Sequence, residues 1–184
     1  MRRFLVGALE VFEVALVALG AVFLIRNFLV QPFLVSGSSM VPNFYDGDYL
    51  LVDELTYHFR MPERGEVAVF EYDGNPEEKT YFIKRVVGLP GELIKVSDNN
   101  VVITNKEHPE GFVLDEVYLP RELLTSGSAE IVLDEDEYFV LGDNRSYSFD
   151  SRSWGALKSN SIVGLVRLRL WPLTSIRAFA APEY

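Results

Sequence analysis

The chain has 184 residues, enough for one domain with its own hydrophobic core plus a short appendage. Hydrophobic residues make up 48% of it, which argues against a disordered chain. The formal net charge of -10 argues against a nucleic-acid-binding protein, because phosphate binding needs a basic face. The lack of cysteine excludes disulfides, thiolate metal sites and thiol nucleophiles, and two histidines leave few ligands for zinc.

The first predicted element is an apolar segment at the N-terminus. Residues 4–25 are apolar except for Glu10 and Glu13. Because a helix of about 20 residues spans a bilayer core, we predict a membrane anchor somewhere within residues 8–30. A buried soluble helix and a cleaved signal peptide are the alternatives. A signal peptide fits less well because the two glutamates interrupt the apolar run just before its only small-residue cleavage candidate.

The remainder predicts a mainly antiparallel β domain. Short apolar runs separated by turn signals are typical of strands, and helical periodicity is scarce beyond residue 34. The predicted strands are residues 49–52, 66–70, 82–87, 92–96, 100–103, 137–141 and 163–171. Residues 97–130 are more polar and irregular, which indicates an insertion or small subdomain. The expected organisation is thus an anchor with a short cytoplasmic start in residues 1–32, and a mainly β domain in residues 33–184.

A cluster of small residues, SGSSMVP at positions 36–42, follows the anchor directly. Such a cluster predicts a tight, exposed turn from which a serine hydroxyl can project. The alternative is a flexible Ser/Gly linker that leaves the membrane. The cluster alone does not decide between the two.

A lysine lies within an apolar strand in YFIKRVVGLPG, positions 81–91. Lys84 is either a surface residue or an amine held in an apolar pocket, where burial can lower its pKa by up to about 3–5 units. A neutral lysine can accept a proton from serine. Because neighbouring side chains on a strand point oppositely, an inward Lys84 predicts an outward Arg85.

The third motif is a dense polar loop, GDNRSYSFDSRSWG, at positions 142–155. Acids, arginines and hydroxyls mixed in this way suit a buried hydrogen-bonded network that holds a site rigid. A solvated surface loop anchored by one tryptophan is the alternative.

In this order the three motifs resemble the type I signal peptidases, the bacterial Ser–Lys serine proteases. The resemblance implies that Ser39, the serine before the methionine, is the nucleophile and that Lys84 is the general base. It also implies that Ser148 helps to orient the lysine amine, and that Asp150 and Arg152 support the site. These roles come from the resemblance and not from the spacing of the residues.

The oxyanion site departs from one version of the family pattern. The resemblance implies that the backbone N–H of Ser39 is an oxyanion donor. Many Gram-negative members carry a second donor on a serine two positions earlier, where this chain has Gly37. Pro42-Asn43 stands in place of the family's Pro-Thr, a change that we expect the fold to tolerate.

The resemblance implies a membrane-bound endopeptidase that removes signal peptides after a small-x-small motif through an acyl-enzyme. Its expected partners are secretory preproteins and the lipid bilayer, with no nucleic acid, cofactor or metal. The expected location is the cell membrane, crossed once, with the catalytic domain on the extracytoplasmic side. A Ser-His-Asp protease through His58 or His108, a soluble self-cleaving repressor-type Ser–Lys protein and a non-enzymatic peptide-binding module are the alternatives.

Overall fold

The structure is a computed structural model that describes residues 7, 10–20, 30–74 and 79–182. Residues 10–20 are helical. Residues 8, 9 and 21–29 of the predicted membrane span lie outside the described residues. Among those that are described, no helix combines the length and the apolarity that crossing a bilayer requires.

The larger of two sheets has eight strands and contains both ends of the described β domain. Its strands run in the order β1-β2-β11-β3-β4-β9-β10, and β12 pairs with β11. Every pairing is antiparallel. The strands are β1 Val30–Leu34, β2 Tyr49–Asp53, β3 Val67–Tyr72, β4 Thr80–Gly88, β9 Glu137–Leu141, β10 Leu157–Lys158, β11 Ile162–Trp171 and β12 Arg177–Ala178.

The smaller sheet is built from the middle of the chain. Its four antiparallel strands run in the order β7-β6-β5-β8. They are β5 Leu93–Ser97, β6 Asn100–Thr104, β7 Phe112–Val113 and β8 Ala129–Val132. Residues 97–130 therefore form much of this sheet and the loops beside it. Two short α-helices, Thr56–Phe59 and Ser151–Trp154, and two 3₁₀ turns, Ser159–Ser161 and Leu173–Ser175, complete the described elements.

The mainly antiparallel β class is confirmed, and all seven predicted strands are present. The prediction missed five short strands. Three of these, β7, β10 and β12, have two residues each, too few for a period-2 pattern to be visible. β1 was hidden because it continues the apolar N-terminal run and contains Pro32, which is tolerated there because β1 is an edge strand.

Three apolar clusters fill the interior, and one of them fixes the turn that follows β1. Met40 and Phe44 are 1% and 0% exposed and pack among side chains of β2, β3 and β11. A second cluster joins the smaller sheet to Val87, Phe139 and Leu141 of the larger one. Burying large apolar side chains such as these contributes about 1.5–3 kcal/mol each. The turn after β1 is therefore attached to the core by Met40 and Phe44, and the start of the polar loop of residues 142–155 is attached by the adjacent Leu141.

Candidate active site

Ser39 lies at the start of a hydrogen-bonded turn formed by residues 39–43. The N–H groups of Asn43 and Phe44 both donate to the carbonyl of Met40, at 3.0 and 2.9 Å. Met40 is buried in the core, and the adjacent Ser39 is half-buried. Gly37 enters this turn at φ +92°, in the left-handed region that favours glycine, and its N–H donates to Asp46 Oδ1 at 2.8 Å.

Lys84 reaches Ser39 from β4. Its Nζ lies 2.8 Å from Ser39 Oγ and donates a second hydrogen bond to the carbonyl of Ile83 at 3.0 Å. The side chain is only 4% exposed. The first and second motifs of the sequence, 45 residues apart, thus meet at one hydrogen bond.

Burial of Lys84 lowers the pKa of its amine from 10.5 to about 8, because a charged ammonium loses solvation in the interior. The carboxylates of Asp150 and Asp143 act in the opposite direction and raise it. Desolvation is the larger effect. At pH 7 about one molecule in ten then holds a neutral amine next to the Ser39 hydroxyl.

Asp150 and Arg152 form a buried ion pair beneath the site. Arg152 Nη2 lies 2.8 Å from Asp150 Oδ2, and that oxygen also accepts the N–H of Gly142 at 3.0 Å. Burial raises the pKa of Asp150, but hydrogen bonds from Arg152 and Gly142 outweigh it and the net shift is downward. Asp150 also caps the short helix Ser151–Trp154 by accepting the Arg152 N–H. This pair is structural support for the loop.

Ser148 lies beside this carboxylate, but no hydrogen bond joins it to Lys84. Its Oγ is buried without a hydrogen-bond partner of regular geometry in the described structure. It is nevertheless close enough to Asp150 to lower the pKa of that carboxyl. A buried hydroxyl without a regular partner is uncommon in proteins, so its position next to the site calls for a role.

Arg85 does not point to solvent, and the expectation that it would was wrong. It is 5% exposed and forms a bidentate ion pair with Asp143, with Nε–Oδ1 and Nη2–Oδ2 distances of 2.7 and 2.6 Å. Strand alternation gives Lys84 and Arg85 opposite faces, but the expectation took the face of Arg85 to be solvent. That face is covered by the polar loop and by the ring of Tyr118, whose centroid lies 4.0 Å from the Arg85 guanidinium.

The polar loop also contacts the backbone on both sides of the Ser39 nitrogen. The Asn144 N–H donates to the carbonyl of Ser39, and Asn144 Nδ2 donates to the carbonyl of Ser38, each at 3.0 Å. Gly142 approaches so closely that a Cβ there would lie 2.5 Å from the Ser39 carbonyl. The Ser39 N–H itself donates to no acceptor in the described part of the chain. It is therefore available to a ligand.

Residues of the smaller sheet's loops contribute contacts that the sequence did not reveal. Glu116 forms an ion pair with the fully buried Arg145 of the polar loop, and Ser126 accepts a hydrogen bond from Arg152 at 2.7 Å. Asn43, in the turn after Ser39, donates to Asp143 Oδ2 at 2.8 Å and to the Tyr118 carbonyl at 2.9 Å. The motif of residues 142–155 indicated a network, but nothing in residues 97–130 indicated its partners.

A cleft of about 220 Å³ opens next to Ser39 and Lys84. One wall is the end of β1 and the residues after it, and the other is the first half of β4. Phe33 and Tyr81, one from each wall, meet edge to face with ring centroids 5.7 Å apart. The lining is mainly apolar, and its polar side chains are those of Ser36, Ser39, Tyr81 and Lys84.

Neither histidine belongs to this site. His58 and His108 are both exposed, as expected for surface residues, and neither lines the cleft. Among residues 7, 10–20, 30–74 and 79–182, there is no group of three or more side chains suited to hold a metal ion.

Comparisons with known proteins identify the family. The family described as signal peptidase, peptidase S26, matches residues 8–171, and the chain belongs to it. Signal peptidase I P of Bacillus subtilis subsp. natto is 34% identical over 166 residues, covering 88% of each chain. Probable signal peptidase I-2 of Synechocystis sp. is 34% identical over 155 residues, 83% of this chain and 68% of that one.

A solved structure was also found. The crystal structure of a signal peptidase I from Enterococcus faecalis V583 matches with a TM-score of 0.45 and 28% identity. The match covers 58% of this chain and 97% of that chain.

Proposed function

We propose that this protein is a membrane-bound serine endopeptidase that removes signal peptides from secretory preproteins, with Ser39 as nucleophile and Lys84 as general base. The observation that carries this proposal is the 2.8 Å contact between Lys84 Nζ and Ser39 Oγ, made by an amine whose pKa burial lowers to about 8. Membership of the signal peptidase family supports the choice of substrate.

In the proposed mechanism, neutral Lys84 accepts the Ser39 hydroxyl proton while Oγ attacks the scissile carbonyl carbon. The resulting ammonium then donates that proton to the leaving amine as the C–N bond breaks, which leaves an ester on Ser39 and a neutral lysine. Lys84 next takes a proton from water, whose oxygen attacks the ester. The bond between the acyl carbon and Ser39 Oγ then breaks, and Oγ takes the proton back from the Lys84 ammonium. This restores the serine hydroxyl and the neutral lysine. The first proton transfer spans the 2.8 Å contact between Lys84 Nζ and Ser39 Oγ.

We place the developing oxyanion against the N–H of Ser39. A preorganised donor of this kind is worth about 2.7–4 kcal/mol in the transition state. This N–H has no acceptor in the described structure, so the substrate oxygen would not have to displace a protein partner. Gly37 carries no hydroxyl and adds no side-chain donor.

The cleft suits an extended peptide with small side chains. β1 is an edge strand, and residues 81–83 of β4 pair only with β3 in the described structure, because the pairing with β9 begins at Arg85. An extended preprotein can therefore hydrogen-bond to main chain on either wall, as in strand addition. Phe33 and Tyr81 narrow the cleft, which favours small residues at the small-x-small cleavage motif.

We assign supporting roles to the residues around the dyad. Ser148 is a positioning residue whose hydroxyl orients the neutral lysine amine. Asp150 and Arg152 hold the loop that carries Ser148, through the 2.8 Å ion pair between them. None of the three exchanges a proton with the substrate.

We further propose that the residues before β1 anchor the protein in the cell membrane by one span, with the catalytic domain on the extracytoplasmic side. The boundary expected between residues 32 and 33 moves to the start of β1, because residues 30–32 pair with β2. The described helical residues 10–20 support an apolar environment: the large apolar side chains Val11, Phe12, Val14, Leu16, Val17 and Leu19 are all 60–71% exposed to solvent. Exposed apolar surface of this extent is typical of segments that contact lipid or another protein. Arg2 and Arg3 favour a cytoplasmic N-terminus.

The test is cleavage of a preprotein with an Ala-x-Ala site by detergent-solubilised full-length protein. Wild type is compared with Ser39→Ala and Lys84→Ala, and circular dichroism checks that all three are folded. We expect cleavage after the second alanine by wild type alone. Absence of cleavage by folded wild type across several preproteins would contradict the proposed function, and cleavage by Lys84→Ala would contradict the assignment of the base.

A further inference from the structure

The main-chain atoms around Ser39 are fixed by a residue that the mechanism above does not use. Asn144 Nδ2 donates to the Ser38 carbonyl at 3.0 Å, and the Asn144 N–H donates to the Ser39 carbonyl at 3.0 Å. The first of these bonds acts on the peptide unit that contains the Ser39 N–H, and the second acts on the next peptide unit. One residue therefore holds both carbonyls that flank the Ser39 nitrogen.

Holding the Ser38 carbonyl also fixes the direction of the Ser39 N–H. A trans peptide is planar, and its C=O and N–H point to opposite sides of the chain. When the Asn144 amide binds the Ser38 oxygen, the Ser39 N–H is directed away from Asn144. The Val41 N–H adds a weaker bond to the same oxygen at 3.3 Å, so the position of this carbonyl is set from two directions.

The polar loop is shaped to bring Asn144 this close. Gly142 is buried, and a Cβ at its position would lie 2.5 Å from the Ser39 carbonyl and 2.2 Å from Ser148 Oγ. The Tyr147 N–H donates to the Asn144 carbonyl at 3.0 Å, which closes the loop behind Asn144. Asn144 is thus held by the Ser38–Ser39 backbone on one side and by the backbone of Tyr147 on the other.

We propose that Asn144 is a positioning residue whose side-chain amide aims the Ser39 N–H at the oxyanion. The proposal rests on the proposed function and extends it to a residue that acts on the transition state through the Ser38–Ser39 peptide. A peptide free to rotate would present its N–H to the oxyanion for part of the time only, whereas the Asn144 bond makes the donor preorganised.

Asn144→Ala removes the side-chain bond and keeps the main-chain one. Asn144→Asp keeps the shape of the side chain but replaces the donor with an acceptor. For both variants we expect kcat on an Ala-x-Ala peptide to fall about ten- to hundredfold with KM little changed, because the lost interaction acts in the transition state. The control is Asn100→Ala, which removes the same kind of bond, from Nδ2 to the Asp98 carbonyl at 3.0 Å, in the smaller sheet.

A peptide aldehyde separates this role from a merely structural one. Ser39 Oγ adds to the aldehyde carbon, the serine proton passes to Lys84, and the carbonyl oxygen becomes the oxyanion of the adduct. We expect Asn144→Ala to weaken aldehyde binding by the same factor as kcat. An uncleaved substrate peptide should bind equally well to Ser39→Ala and to Ser39→Ala/Asn144→Ala. The midpoint of the pH–rate profile of Asn144→Ala should stay near that of wild type, since the bond does not involve Lys84.

Unchanged aldehyde affinity in folded Asn144→Ala would overturn the inference, and so would a kcat loss explained by a shifted pH midpoint. These outcomes leave the proposed function intact so long as wild type cleaves and Ser39→Ala does not. A folded wild type that cleaves no preprotein overturns the proposed function and the inference together.

Discussion

Lys84 and Arg85 are consecutive residues of β4, and both are buried, but they serve different partners. Lys84 contacts Ser39 with its amine, whereas Arg85 forms a bidentate ion pair with Asp143 on the polar loop. Because neighbouring side chains of a strand point to opposite faces, β4 holds Lys84 against Ser39 on one side and Arg85 against the polar loop on the other. The position of Lys84 therefore depends on the pair behind it.

Asp143→Asn should destabilise the fold strongly. Asp143 is 0% exposed and Arg85 is 5% exposed, so the variant leaves a buried guanidinium without its counter-charge. We expect the free energy of unfolding in urea to fall by about 3–5 kcal/mol. Glu130→Gln is the control, since its ion pair with Lys95, 3.5 Å long, is more than half exposed and contributes under about 1 kcal/mol. Equal losses in the two variants would contradict this account of the pair.

Gly142→Ala should impair catalysis by displacing the backbone of Ser39. The new Cβ would lie 2.5 Å from the Ser39 carbonyl, and misplacement of a reacting group by about 1 Å can cost a hundredfold in rate. Gly164→Ala is also crowded, with a Cβ 2.6 Å from the Asp53 carbonyl, but touches neither Ser39 nor Lys84. We expect both variants to lose about 1–3 kcal/mol of stability. Only Gly142→Ala should lose kcat/KM per folded molecule, and a similar loss in Gly164→Ala would refute the explanation.

Ser148→Ala should lower activity without lowering stability. Its Oγ is buried without a regular partner, so removing it leaves no broken hydrogen bond behind. If this hydroxyl orients the lysine amine, kcat/KM should fall about ten- to hundredfold. Ser151→Ala is the control with the opposite expectation. Ser151 Oγ accepts a hydrogen bond from the Val140 N–H at 3.0 Å, so this variant should lose about 1–3 kcal/mol of stability. Its turnover per folded molecule should persist. Full activity in Ser148→Ala would show that the Ser148 hydroxyl does not orient the Lys84 amine.

Lys84 should also make stability depend on pH. Its pKa is about 8 when folded and 10.5 ordinarily, so the folded protein binds this proton less tightly than the unfolded chain does. The cost of burying the charge is fully present below pH 8 and disappears as pH rises towards 10.5. Relative to Lys84→Met, which has no charge, wild type should gain about 3 kcal/mol of unfolding free energy across that window. A constant difference between pH 7.5 and 10.5 would show that the amine is not desolvated.

The sequence predicted the strands, and the motifs that meet where Lys84 contacts Ser39, better than it predicted the surroundings of that contact. Strands such as β2, β4 and β9 are long enough for apolar runs to stand out, and Ser39 and Lys84 lie in distinctive motifs. The partners of the polar loop, Glu116 and Ser126, lie in a region without a pattern, because loop contacts between distant segments depend on the assembled fold. The burial of Arg85 was missed for the same reason: strand alternation gives the face of a residue but not what covers that face.

The measurement that tests the central claim most directly is the pH dependence of kcat/KM for an Ala-x-Ala peptide, with chemistry rate-limiting. If neutral Lys84 is the base, the rate should rise about tenfold per pH unit below the pKa of the free enzyme. It should then level off above pH 8, where burial sets the pKa of the amine at about 8. Lys84→Arg, which stays charged, should be inactive throughout. A profile that is flat from pH 6 to 10, or activity that survives Lys84→Arg, would contradict the assignment of Lys84 as the base that activates Ser39.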